Sequence, residues 1–362
     1  TRELTGESPF TLVDDWWVAD PKMFRFPQGI VVGDRNEYCD YGNAVLSVGL
    51  VNDEDGGNCP SGDGSVTFGY VNRASGNYSS VTGGVGSEAS GWGSSVKGGY
   101  GNEAIGKYSS VSGGDFNQAS GSISSVTGGS NNEASGYASS VTGGEFNEAS
   151  EIASSVSGGG TNEATGRAAS VSGGSKNTAL GERSVVSGGS ESKAQGYASA
   201  VSGGYLNRAV ARQSSVSGGQ KNQAKGEFSS VSGGSFNQAT HERSSVSGGA
   251  RNMAQNVDAS VSGGYGNKAV GKYASVLGGR VNFANGDTST ISGGIGNKVE
   301  GKYSSISGGM KNIALGVSTS IVGGKGKIAE KNYSFRKDKK SKKRDSTLTT
   351  EFNATAASAD SN

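Results

Sequence analysis

The chain has 362 residues, of which 64 are glycine, and apolar residues make up only 32%. So small an apolar complement excludes one large globular core and favours a narrow core shared by stacked units. The formal net charge of +1 excludes a general bias toward nucleic acid or an anionic membrane, and no apolar run approaches the ~18 residues of a membrane helix.

Residues 1–28 follow no repeat and carry Trp16, Trp17, Phe24 and Phe26. This aromatic density predicts an N-terminal cap over the open end of a repeat array, because a terminal unit lacks one neighbour. A docking surface for a partner is the alternative. The chain starts at Thr1 without an initiator methionine, as a processed secreted protein does.

Residues 29–64 read as degenerate coils. Ile30-Val31-Val32-Gly33 is followed by Asn36, Leu46-Ser47-Val48-Gly49 by Asn52, and Val66-Thr67-Phe68-Gly69 by Asn72. The second gap is longer, which predicts a bulging acidic loop from Asp53 to Cys59, either solvated or holding a cation. The only cysteines, Cys39 and Cys59, form one disulfide or remain two free thiols; the spacing matches no CxxC metal pattern.

Residues 65–330 are the regular repeat. Ser80-Val81-Thr82-Gly83-Gly84 returns every 15 residues until Ser320-Ile321-Val322-Gly323-Gly324. Counted from Val66, the β-branched column has 18 members. An unbroken short period predicts an all-β fold, a parallel β-solenoid or β-roll of about 18 regular 15-residue coils. Each coil should hold two short strands and two turns. Val81, Val96, Val111 and Val126 should face the core, with Ala89, Ala104 and Ala119 opposite. Gly83, two residues after Val81, should share its inward face. Gly76 and Gly84 suit left-handed corners. Asparagine recurs at Asn102, Asn117, Asn132, Asn147, Asn162, Asn177, Asn207, Asn222 and Asn237, among others. Such a buried ladder can bond the coils above and below through its amides. Residues 331–362 leave the period and form a basic, polar tail that composition marks as disordered.

The Ser65-Val66-Thr67-Phe68-Gly69 strand and its earlier counterparts, with half-coils such as Asn102-Glu103-Ala104-Ile105-Gly106, resemble the head repeats of YadA-like trimeric autotransporter adhesins. The resemblance spans about residues 29–330. It implies a left-handed parallel β-roll, three chains side by side, and binding to extracellular matrix or other cells. That family's repeat is nearer 14 residues, and no heptad stalk follows the repeats here.

Catalysis finds no support. The single histidine, His241, occupies a glycine column and has no evident nucleophile or acid partner. Gly101-x4-Gly106-Lys107, Gly266-x4-Gly271-Lys272 and Gly296-x4-Gly301-Lys302 mimic phosphate loops, but tyrosine follows each lysine and no helix is expected there. The chain therefore reads as non-enzymatic, with no cofactor and no metal. Three sequons, at Asn77, Asn332 and Asn353, are possible glycosylation sites.

The outward hydroxyls carry the functional expectation. Ser80 and Thr82, Ser95, Ser110 and Ser112, Ser125 and Thr127, and Ser140 and Thr142 should form flat ranks. A flat face of small side chains suits contact between copies. It predicts a secreted structural or adhesive protein that self-assembles into a trimer or filament. An ice surface is the second candidate ligand for the ranks, and matrix or glycan the third. For a ligand, the variable residues Phe116, Phe146, Tyr205, Phe236 and Tyr265, just before the asparagine column, are the candidate loops. No nucleic-acid partner is expected.

Overall fold

The computed structural model describes residues 10–13, 16–19, 26, 28–33, 36–50 and 56–337. The chain divides into two compact units, residues 1–249 and 250–362. Both are parallel β-solenoids, together of about twenty coils, and no helix occurs among the described residues. In the first unit, one ladder runs from Gly29–Val32 through Val45–Leu50 and Val66–Tyr70 to Ser80–Val81 and on to Ser245–Val246. The second runs from Arg73–Ala74 to Gln238–Ala239. The second unit repeats the scheme, with ladders from Ser260–Val261 to Phe335–Arg336 and from Met253–Ala254 to Ile328–Ala329. Successive strands pair at an offset of 15, as in Ser110↔Ser125 and Ala104↔Ala119.

Each regular strand is only two residues long. A third line of contact joins the coils through single-residue bridges, Tyr100↔Asp115↔Ser130 and their equivalents. The expectation of two sides per coil thus omitted a side one residue wide, which has no recurring residue type to announce it: Val85, Tyr100, Asp115, Ser130 and Glu145 follow one another there.

The core is thin, and its outline follows from side-chain alternation. Val81, Val96, Val111 and Val126 are buried, as are Ala89, Ala104 and Ala119. Beside the valines runs a column the sequence did not betray: Ser79, Ser94, Ser109, Ser124 and Ser139, all buried. Some of these hydroxyls donate to the carbonyl three residues back, Ser124 to Gly121 at 2.7 Å and Ser139 to Gly136 at 2.8 Å. Ser79, Ser94 and Ser109 sit in the same column without a partner; the same rotation about χ1 would satisfy them. Ala169, Ala259 and Ala274 fill the column elsewhere and are buried equally well.

The register corrects the sequence reading at the first coils. Thr67 pairs with Val81, and Val66 with Ser80. Thr67 and Ser47 are therefore the buried members of the inward column, and their hydroxyls bond each other at 3.1 Å. Val66 points outward. The unbroken 15-residue column begins at Val81, giving seventeen members to Ile321 rather than eighteen. At the next corner Tyr70 pairs with Val85, an offset of 15. The extra residue of the regular coil thus lies between Val81 and Val85. Asn72 holds Phe68 O as Asn102 holds Gly98 O, which leaves Thr82 and its equivalents as the surplus: they are exposed, keep an N–H bond to the next coil, Thr82 to Val96 O at 2.9 Å, and the bridges resume beyond the glycine pair. Regular coils all carry this residue, so it makes a bulge only where the first coils meet the regular ones, between Thr67↔Val81 and Tyr70↔Val85. It also overturns the inward reading of Gly83: a Cβ at Gly98, Gly113 or Gly128 would meet nothing within 4 Å.

The two corners use different backbone devices. Gly84, at φ +85, is left-handed as its sequence suggested. Gly76 is not; it is glycine because a Cβ there would lie 2.1 Å from the carbonyl oxygen of Gly91. The left-handed residue at that corner is two positions on, at Tyr78 (φ 59), Tyr108 (φ 57) and Ile123 (φ 61). Left-handed backbone turns these N–H groups back toward the preceding coil, so Tyr108 donates to Trp92 and Phe116 to Tyr100. Where the glycine is replaced, the inter-coil bond gives way: Glu151 and His241 donate to their own Ser154 and Ser244 hydroxyls.

The asparagine ladder closes the second corner. Asn117 Nδ2 donates to Gly113 O of its own coil at 3.0 Å and to Gly129 O of the next at 2.9 Å. Its Oδ1 accepts the backbone N–H of Asn132 at 3.0 Å. Asn102, Asn132, Asn147, Asn162, Asn177, Asn222 and Asn237 repeat the amide bonds, and Asn207 holds Gly203 and Gly219. Each side chain reaches its own coil and the following one, not the preceding one. In the first coils Asn58 holds this place, bonding Val48 O and Gly69 O while accepting Asn72 N–H. Asn52, which follows Gly49 at the spacing of the later coils, lies outside the described residues.

Cys39 and Cys59 form a disulfide, with Cα atoms 5.4 Å apart. It joins successive coils where the register is irregular. Closing a loop of 20 residues restricts the unfolded chain by about 3 kcal/mol. The double variant C39S/C59S should lose hydrogen-exchange protection around residues 29–74 and keep it beyond residue 95, since repeats unfold locally.

Residues 10–13 and 16–19 form an antiparallel hairpin. The cap proposed for residues 1–28 rests on side chains outside the described residues. So do most of the acidic loop, Asn353 and the tail beyond residue 337.

Candidate functional site

The hydroxyl face is built on the first ladder. Ser80, Ser95, Ser110, Ser125 and Ser140 alternate with the buried column and are half-buried. In the second unit the corresponding rank is partly engaged with itself: Ser260 bonds Ser275 at 3.3 Å and Ser305 bonds Ser320 at 3.2 Å, hydroxyl to hydroxyl. Thr82, Ser112, Thr127 and Thr142 belong to the surplus column and are exposed. In the first unit this outer rank runs without interruption from Ser112 to Ser247, ten Ser or Thr residues, after Lys97. Coil spacing of ~4.8 Å fixes their separation. The glycine column beside them has open space at the Cβ position. The result is a flat strip of small side chains with a bare ledge along one edge. In the second unit Leu277 and Val322 interrupt the same rank.

The five aromatic candidates share one corner but occupy two columns. Phe116, Phe146 and Phe236 are left-handed, with φ between 54 and 57, while Tyr205 and Tyr265 precede that position. All five are exposed. Phe116 packs edge-on against Tyr100 at 5.1 Å between ring centroids. The opposite corner holds a denser cluster that sequence reasoning missed. Trp92 stands edge-on between Tyr78 and Tyr108, at 5.6 and 4.7 Å, with Lys107 Nζ 5.2 Å from the Trp92 ring. The signal was present: aromatics one coil apart at neighbouring corner positions must stack.

A second missed feature lies on the first coils. Without the surplus residue, Val32, Val48 and Phe68 take the place that glycine holds in regular coils. With Gly33, Gly49, Gly69, Tyr70 and Gly84 they line an open, largely apolar groove of about 630 Å³. A polar groove of about 530 Å³ lies beside the disulfide, lined by Asn36, Tyr38, Asp40, Arg73 and neighbours.

No catalytic arrangement forms around the lone histidine. His241 is exposed, and its Nδ1 lies 3.0 Å from the Thr240 hydroxyl. The glycines that mimic phosphate loops are corner positions; Gly106 is buried, with Gly121 O 1.9 Å from its Cβ position. No group of three metal-ligating side chains occurs among the described residues. One carboxylate is perturbed. The Lys272 backbone N–H, at 3.1 Å, and then the Lys302 ammonium hold Asp287 below the usual carboxylate range. Asn77 and Asn332 are both exposed. The side-chain Oδ1 of Asn77 accepts Asp63 N–H at 3.2 Å and that of Asn332 accepts Val317 N–H at 2.9 Å.

No helix among the described residues is long and apolar enough to cross a membrane. No family model matches the chain, and no curated protein is similar to it.

Proposed function

We propose that this chain is a non-enzymatic extracellular scaffold, structural or adhesive, that assembles with its own copies into a trimer or filament through the hydroxyl face. The observation that carries the reading is the run of ten exposed Ser or Thr residues from Ser112 to Ser247 beside an unfilled glycine ledge. Two such strips can approach closely, exchange hydroxyl hydrogen bonds and exclude water with little side-chain entropy to lose. The Cys39–Cys59 disulfide supports an oxidising, extracellular setting. The adhesin resemblance favours the same location.

The test is S157Q/S172Q/S187Q, which roughens the strip without adding charge. Sedimentation and negative-stain imaging should show trimers or filaments of the parent chain at micromolar concentration and nothing larger than a dimer in the variant. A parent chain that stays monomeric sinks the reading. The unbroken rank also favours a second ligand, ice, and thermal hysteresis is its measure; none at millimolar concentration removes it. Binding to matrix or glycan through the exposed corner aromatics Phe116, Phe146, Tyr205, Phe236 and Tyr265 is the third reading.

A further inference from the structure

The outer face of the second ladder carries an ordered charge pattern. After Arg73, Glu88 and Glu103, the last of which accepts from Gln118 Nε2 at 2.7 Å, its outward column reads, coil by coil, Gln118, Glu133, Glu148, Glu163, Thr178, Lys193, Arg208, Gln223, Gln238, each paired in register with the next. Three carboxylates thus stack directly on one another at ~4.8 Å, and two cations do the same. Like charges in register cost stability. None of these five side chains has an ion-pair partner among the described residues. Between the blocks, Thr178 is buried and Leu180, the next outward residue of that coil, is 43% exposed.

We infer that this face pairs with the same face of a second copy, antiparallel, about a twofold axis that runs between the two faces, parallel to the Thr178–Ala179 strand and over it. Rotation about an axis parallel to the strands inverts the stacking direction while each column still faces itself. Coils equidistant from the axis then meet. Glu163 faces Lys193 of the other copy and Glu148 faces Arg208. Glu133 faces Gln223, and Gln118 faces Gln238. Every pairing occurs twice, as a twofold contact requires, and no like charges meet. Leu180 packs on its own counterpart at the centre, ringed by polar pairs. A parallel arrangement in the same register would set Glu against Glu and Lys against Lys, so the pattern also rejects the wrong orientation. The strip spans nine coils, about 38 Å by one short strand. That is well below the ~800 Å² per partner of a standard interface. The contact is therefore weak and salt-dependent, with the charges setting register more than affinity.

The inference does not rest on the hydroxyl face, which belongs to the other ladder. Its test uses S157Q/S172Q/S187Q as the starting protein, so that only the charged face is left to act. At low salt this protein should sediment as a dimer, with a dissociation constant at least about tenfold weaker in high salt. Adding E148K/E163K, or separately K193E/R208E, should give monomers with unchanged circular dichroism. Mixing the two monomeric variants in equal amounts should restore the dimer, because each reversed block now meets its complement. If the starting protein is monomeric while the unsubstituted chain assembles, this inference fails and the hydroxyl-face reading stands. It also fails if E148K/E163K dimerises like its parent or if the mixture stays monomeric. A dimer in the starting protein that is insensitive to salt overturns it as well.

Discussion

Gly114→Ala should destabilise the solenoid by at least about 4 kcal/mol, whereas Gly113→Ala, one residue earlier, should change stability by less than about 1 kcal/mol. The two glycines look equivalent in sequence, and both columns run through the regular coils from Gly83 and Gly84 to Gly323 and Gly324. Their surroundings differ. Gly114 is left-handed at φ +83, and a Cβ there would lie 2.1 Å from Gly129 O and 2.6 Å from Asn117 Nδ2. The first obstacle is backbone of the next coil, already fixed by the Asp115 N–H to Gly129 O bond. It cannot yield without parting two coils. The second is a ladder amide. A Cβ at Gly113 meets nothing within 4 Å, and its φ lies outside the left-handed region. There alanine restricts the unfolded chain at no folded-state cost, so its small effect should be favourable. Urea unfolding of both variants checks this, and equal losses at the two positions would contradict the corner geometry.

Asn117→Ala should cost about 3–5 kcal/mol. The buried N–H of Asn132 loses its acceptor and Gly113 O its donor; Gly129 O keeps Asp115 N–H. The chain supplies its own intermediate case. Ser87 stands in the ladder and accepts Asn102 N–H at 3.2 Å, a longer bond than the 2.9–3.0 Å of the asparagine rungs. Asn117→Ser should therefore fall between wild type and alanine. Asn117→Asp keeps the acceptor, loses the donor and buries a charge, so at neutral pH it should be the worst of the three. Burial would raise that carboxyl's pKa in the folded state. The extra loss should then ease as pH falls through the raised value, because the protonated acid can donate again. The order Ser, Ala, Asp in denaturant midpoint at neutral pH, with Asp alone recovering in acid, is the expected outcome.

How much of this was legible varies with the residue. The valine, alanine and asparagine columns announce a stacked coil because each must recur at one place in every lap. The buried Ser79 column was hidden: serine is common on both faces here, and only geometry separates Ser79 from Ser80. Val66 misled because a valine at the right spacing satisfies the pattern, while the ladder accepted Thr67 and supplied Ser47 as its hydrogen-bond partner. Composition cannot see a one-residue slip that leaves polarity almost unchanged. The hydroxyl rank was readable as a rank, but not that its outer half sits on surplus residues. The segregated charge of the second ladder was written plainly at every fifteenth residue. It acquires meaning only once Glu88 and Ala89 are known to point opposite ways.

The surplus residue has a consequence for how such a chain can change length. Because the extra residue falls between the paired positions Val81 and Val85, a lap with it and a lap without it mate at both ladders, as the first coils do with the regular ones. Duplicating or deleting one whole lap leaves the backbone pairing and the buried columns on either side the same. Copy number is therefore unconstrained by the backbone itself, and recombination between near-identical laps can change it while the valine, alanine and asparagine columns stay continuous.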